Sequence, residues 1–352
     1  MAYTTIDDPS AYFKVQLYTG TGSSHAITFN DTDTDMQPDL IWNKSRSDNF
    51  SQNWCDSLRG VTKMLEGDAN AAENTNTNAV TAFGSDGFTV GSDNGNNKSS
   101  SNFVAWCWKA NGPAASVSAN TDGSINTTKT SANTTSGFSI NTFTGSGSAA
   151  TVGHGLGAVP RMIISKDYGG TNEWYVYHAG VGNTHALRLS TNDNKDDSDG
   201  YWNDTTPTST VYSVGNNSGT NDTDTMVSYV FTPKQGFSAI NSFTGNGNAN
   251  GSYVHLGFRP ATVILKNSDS SGTPWTIWDN KRPGHNVNNL RIRPDTADDE
   301  DTTTADPIDF LSNGFKCRGN NDDTNKSGSL FIYIAFAEAP FVNSKGVPAN
   351  AR

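Results

Sequence analysis

Glutamate is nearly missing from this 352-residue chain, which carries only Glu66, Glu73, Glu173, Glu300 and Glu338. Glycoside hydrolysis asks for two carboxyl groups facing each other across a cleft. Only Glu173 and Glu338 adjoin strand-like segments and neither has a counterpart elsewhere in the chain, so a glycan-degrading enzyme is a remote alternative and no catalytic residue is assigned. Cysteine is scarce as well. Cys55, Cys107 and Cys317 are odd in number and widely spaced, which excludes a disulfide framework or a C-x-x-C metal site and leaves three small core residues. No apolar run approaches the roughly 20 residues of a membrane helix. The opening MAYTTIDDPSAYFKV has neither the basic nor the apolar stretch of a signal peptide, so synthesis in a cytoplasm and no membrane insertion are expected. Basic clusters are also missing. With a net charge of -11 the chain offers no stripe to replace nucleic-acid counterions, so nucleic acid is excluded as a partner. Helical periodicity is absent apart from 59–67 (RGVTKMLEG), where one or two helical turns are expected.

Polarity without charge takes the place of these features. Hydrophobic residues make up 34% and mean hydropathy is -0.58, yet only 17% of residues are charged, too few for the charge-driven disorder of a polar chain. Asn, Thr, Ser, Asp and Gly favour turns and exposed strand faces, and the 10% aromatic content supplies small cores. This is the profile of a loop-rich all-β protein.

Three landmarks recur in one order. An aromatic–Thr–Gly–x–Gly turn appears at 18–22, 143–147 and 243–247. A proline then opens an apolar strand that ends in lysine: QPDLIWNK at 37–44, VPRMIISK at 159–166 and RPATVILK at 259–266. A glycine turn, a polar loop and a terminal strand follow at 89–108, 213–231 and 317–336. Turn glycine and strand proline are 18, 15 and 15 residues apart, and proline and later glycine 53, 55 and 59. The strand runs are short, β-branched or aromatic, and bracketed by Gly, Asn and Asp. The expected architecture is therefore three tandem antiparallel β-sandwich (jelly-roll-like) domains with long polar loops. Their bounds are 1–112 with an N-terminal arm, 136–234 and 235–341. A Ser/Thr/Asn-rich linker or surface arm lies at 113–135 and a tail at 342–352.

Glycine-rich stretches such as TVGHGLGAVP match neither a phosphate loop nor a dinucleotide fingerprint, and are read as turns. His154 and His255 sit before their prolines, but the first copy has no histidine there, so a turn or interface role is expected. Asp31, Asp33 and Asp35 begin like a calcium loop, although Met36 and Trp42 stand where such a loop has Gly and Glu. They are retained as weak Ca²⁺ candidates, with no other cofactor. Trp174, Tyr175, Tyr201 and Trp202 are candidate sugar-stacking residues, with a core or interface role as the stronger reading.

The segments MAYTTIDDPSAYF, QPDLIWNKSRS with the W-x-DS-x-RG that follows it to residue 60, SDGFTVGSD with FVAWCWKANG within 85–112, and the ending YIAFAEAPFVNSKGVPANAR resemble a lectin-like domain repeated in structural proteins of marine tailed phages. The resemblance implies concanavalin-type sandwiches and a non-enzymatic virion component, tail-fibre or tail-associated or otherwise on the particle surface. It implies other virion proteins as partners, and host-surface glycans or a cell-surface receptor as candidate ligands. A capsid decoration or head-fibre protein is the alternative. Homo-oligomerisation is expected, while three tandem units could also build a pseudo-threefold shape from one chain.

Overall fold

The computed structural model describes residues 2–29, 34–302, 304 and 306–348. It is all-β, built of antiparallel sheets. Each repeat contributes four strands to a main sheet: an opening strand (Phe13–Thr19, Phe138–Thr144, Ser238–Thr244), a proline strand (Leu40–Ser45, Met162–Asp167, Phe258–Asn267), a hairpin strand (Asn53–Asp56, Tyr175–His178, Thr276–Asp279) and a closing strand (Asn102–Trp108, Thr225–Phe231, Leu330–Pro340). Their lateral order is the same in all three sheets: opening, closing, proline, hairpin. The closing strand is central, and the register sets Trp42 against Trp106, Ile164 against Tyr229 and Ile264 against Ile334.

Alternation along the closing strands explains their unbroken apolar character. Trp106 and Trp108, Tyr229 and Phe231, and Ile334 and Phe336 point into one core shared by all three repeats. Ala105 and Cys107, Met226 and Val230, and Tyr333 and Ala335 point the other way, into a separate core for each repeat. A strand buried on both faces carries no polar alternation. Smaller sheets lie over these outer faces: His25–Thr28 with Gly87–Val90 and Val80–Gly84, Ala150–Gly153 with Val211–Val214, and Tyr253–His255 with Gly314–Cys317 and Ile308–Leu311.

The shared core lies where the repeats converge. Trp108, Phe231 and Phe336, the same closing-strand position in each repeat, form a triangle with ring centroids 5.6, 6.0 and 6.4 Å apart. The space left among Leu40, Met162, Ile264 and these rings is about 10 Å³, too small for a ligand.

Two expectations for local structure change. Residues 63–66, expected as a helical turn, form a strand paired with Asn53 and Trp54. A run this short cannot hold a helix against tertiary pairing. The segment 113–135, expected as a linker or surface arm, carries the strand Lys129–Asn133, which pairs antiparallel with Phe138–Thr142. Backbone pairing needs no large side chain, so a Ser/Thr/Asn-rich stretch serves.

Candidate functional site

Two recurring sets of side-chain donors are found at the seams between repeats. The lysine one residue before the end of each proline strand is buried and donates to carbonyl oxygens on both sides of a seam. Lys166 Nζ reaches Asn172 O at 2.6 Å in its own repeat and Asn70 O at 3.1 Å in repeat 1. Lys266 Nζ reaches Thr273 O at 2.5 Å and Asn192 O of repeat 2 at 3.4 Å. Lys44 Nζ reaches Ser45 O at 2.9 Å and Ala297 O of repeat 3 at 3.2 Å. Repeat 2 thus grips repeat 1, repeat 3 grips repeat 2, and repeat 1 grips repeat 3, which closes a cycle. Burial disfavours the charged ammonium and pulls all three lysines down to about 8.

A second cycle runs parallel to the first. The residue before each hairpin strand donates its side-chain N–H to the preceding repeat: Trp174 Nε1 to Glu66 O at 2.9 Å, Trp275 Nε1 to Arg188 O at 2.8 Å and Gln52 Nε2 to Arg293 O at 2.9 Å. The backbone N–H groups of the same three residues are held by Ser190, Asp295 and Asp68. Contacts also run in reverse. Arg59, paired with buried Asp56 at 2.6 Å, reaches Tyr229 of repeat 2, whose hydroxyl donates to Asp56 at 2.7 Å. His178 Nε2 donates to Tyr333 O of repeat 3 at 3.2 Å, and Arg282, paired with Asp279, lies 5.7 Å over the Trp106 ring. Arg46 and Glu300 add an ion pair across the seam of repeats 3 and 1 at 2.8 Å.

Within each repeat, one asparagine ties the first landmark to the third. Asn221 Nδ2 donates to Gly215 O and Ser148 O at 2.7 and 2.6 Å, while its Oδ1 accepts Ser146 N–H at 2.8 Å. Asn97 and Asn325 repeat this pattern with Gly91, Ser23 and Thr21, and with Gly319, Asn248 and Asn246. The turn glycine is required here: a Cβ on Gly145 would stand 1.8 Å from Asp222 O. These asparagines were not singled out among the candidate residues. Their signal was a constant position, six residues past Gly91, Gly215 and Gly319.

The candidate sugar-stacking residues lie inside. Trp174 and Trp202 are 0% and 1% exposed, Tyr175 and Tyr201 9% and 5%. Trp174 belongs to the shared core beside Trp54, whereas Tyr175, Tyr201 and Trp202 pack in the core of repeat 2, with the two tyrosine rings 5.0 Å apart. None presents a ring face to a ligand, because the seam and the small sheet cover them. Of the calcium candidates, Asp31 and Asp33 lie outside the described residues and Asp35 is exposed. Among the described residues, no group of three or more His, Cys, Asp or Glu side chains is arranged to hold a metal ion. His154 is fully buried, accepts Leu156 N–H on Nδ1 and faces Thr208 O with Nε2 at 3.3 Å; burial lowers its pKa. His255 instead meets Tyr253 Oη at 3.2 Å on the surface. All three cysteines are free and buried, with the Cys55 and Cys317 thiols pushed up to about 12, so they are unreactive.

One seam holds an open groove. Between repeats 1 and 3, about 330 Å³ is lined by Phe13 to Leu17 of the opening strand on one side and by Ala261, Asn280 and Lys281 on the other.

An all-β chain of three like sheets, cyclically interlocked around one core, is the class that the geometry defines. The chain belongs to a family described as a domain of unknown function (DUF7483), whose model matches residues 8–340. No curated protein and no solved structure matches it.

Proposed function

We propose that the chain is a non-enzymatic structural protein of a tailed-phage virion, in which three jelly-roll-like sandwich units close into a ring on the tail or particle surface. One observation carries this reading: two recurring sets of side-chain donors hold the units to one another. Lys44, Lys166 and Lys266, with Gln52, Trp174 and Trp275, face neighbouring backbone. Such a body offers a rigid scaffold from which polar loops project. Those loops, rather than Trp174 or Trp202, are then the surface that meets other virion proteins or host glycans. Mass spectrometry and antibody labelling of purified particles test the reading. The chain is expected in intact particles at a copy number following three- or sixfold tail symmetry. A copy number following capsid sites supports the decoration alternative, and absence from particles contradicts both. For glycan contact, a glycan array and host adsorption are expected to respond to loop substitutions and not to changes at the buried aromatics.

A further inference from the structure

The connection between repeats 1 and 2 sets one peptide bond against a buried acid. Asn–Gly pairs occur at 94–95, 111–112, 246–247, 250–251 and 313–314. In such a pair the asparagine side-chain carbonyl is one five-membered ring closure away from the following backbone nitrogen, and glycine has no Cβ to obstruct the approach. Among the described residues, the glycine N–H of such a pair is donated to a carboxylate at 111–112 alone, where Gly112 N–H meets Asp39 Oδ2 at 3.2 Å. Gly247 N–H goes instead to the Asn325 carbonyl at 2.8 Å, which cannot take up its proton.

Asp39 is 2% exposed. Its oxygens accept Ser57 Oγ–H at 2.7 Å, Ala110 N–H at 2.8 Å and the Gly112 N–H. Burial raises its pKa, which makes the carboxylate a stronger proton acceptor. The plan of the seams does not call for an acid here. The same position of the proline strand holds Asp39, Arg161 or Ala261, and each accepts, through its backbone carbonyl, the N–H of Ser57, Ala179 or Asn280 at 2.8 Å.

The reacting residues are held at the backbone and free at the side chain. Ser131 Oγ accepts Asn111 N–H at 2.8 Å and donates to Gly112 O at 2.7 Å, so the chain is clamped on both sides of the bond. Gly112 takes a φ of 94°, which a residue with a Cβ rarely adopts. Asn111 is exposed, so water reaches it.

We propose that Asn111–Gly112 is a site of self-catalysed deamidation, in which the Asp39 carboxylate takes the Gly112 amide proton. The Gly112 nitrogen attacks Asn111 Cγ, the new N–Cγ bond closes a succinimide, and the Cγ–Nδ2 bond breaks. The proton held by Asp39 leaves on that nitrogen as ammonia. Solvent water then opens the ring: its hydroxyl joins one of the two ring carbonyl carbons and its proton restores the Gly112 N–H. Opening at the backbone carbonyl leaves isoaspartate, which lengthens the connection of repeats 1 and 2 by one carbon and adds a carboxylate. This modification is independent of the virion reading.

The test is peptide mapping by mass spectrometry of the intact chain aged at neutral pH, with isoaspartate identified by enzymatic methylation. A mass gain of about 1 Da at Asn111 is expected. It should appear at least about tenfold faster than at Asn94, Asn246, Asn250 or Asn313, the four pairs without the carboxylate. In guanidinium chloride, where Asp39 no longer meets Gly112, this lead should vanish. Asp39→Asn should slow Asn111 by about tenfold or more and leave the other four rates unchanged, with the far-UV spectrum of the parent. Should that variant not fold, the comparison of native and unfolded parent decides alone. The proposal is overturned if Asn111 has no lead in the native chain, if the lead persists in guanidinium chloride, or if folded Asp39→Asn reacts at the parent rate.

Discussion

At the scale of single residues, the seam lysines show most clearly what holds the molecule together. A buried ammonium without a carboxylate in contact costs desolvation, offset by carbonyl oxygens that would otherwise be orphaned. Lys166→Met removes the charge but strands Asn70 O, Gly170 O and Asn172 O. A loss of roughly 1–3 kcal/mol in chemical denaturation is expected, because the three part-buried hydrogen bonds that Lys166 makes at the seam outweigh the relieved desolvation. The pH dependence has a defined sign. Folding lowers these lysines from 10.5 to about 8, so between those values the unfolded chain holds more protons and their contribution raises stability with pH. It is complete above 10.5 and lost as pH falls through 8; denaturation of Lys166→Met should show a shallower rise than the parent. His178, held by burial at about 4, behaves alike in an acid window: its contribution is full above 6.5 and disappears as pH falls through 4. Asp295, raised to about 7 by burial, acts in the opposite sense. The difference between parent and His178→Gln isolates the histidine, and the variant should lose less stability on acidification from 6.5 to 4.

At the scale of the element, the repeated landmarks are parts of one lock. The turn at 143–147 and the glycine turn at 215 are far apart in sequence, and Asn221 joins them with three short hydrogen bonds. Asn221→Ala should cost about 1–3 kcal/mol by thermal or chemical unfolding, because Gly215 O is left buried without its donor and the bonds to Ser146 N–H and Ser148 O are lost. An Asp replacement, which keeps the acceptor and loses both donors, should recover only part of this. The sequence made the turns, the proline strands and their terminal lysines legible, since each depends on local chemistry repeated three times. It favoured a core or interface role for Trp174 and Trp202 over sugar stacking but did not say which, because aromatic content alone does not tell a seam from the core of one repeat. The strand at Lys129–Asn133 was hidden for another reason. Its side chains carry no strand pattern, and only the free edge of Phe138–Thr144 makes it one. Residues 63–66 likewise owe their conformation to pairing with the hairpin strand.

At the scale of the whole molecule, the hydrogen-bond cycles and the shared core make the three repeats interdependent. Each repeat keeps a core of its own beneath a small sheet, yet one face of every main sheet is buried only against the other two repeats. Removing one repeat would expose Trp108, Phe231 or Phe336 partners and orphan both neighbouring seams. Ion pairs cross two of the seams: Arg46 with Glu300 between repeats 1 and 3, where Arg282 of repeat 3 meets the same carboxylate, and Lys195 with Asp269 between repeats 2 and 3. Interdependence of this kind is tested most directly by equilibrium denaturation of the intact chain, followed at once by tryptophan fluorescence, which reports chiefly the shared core, where all the tryptophans but Trp202 and Trp278 lie, and by far-UV circular dichroism, which reports all the sheets. The cyclic architecture predicts a single transition with coincident midpoints for the two probes. Separate transitions, with one repeat melting while the tryptophan signal of the others stays native, would contradict it.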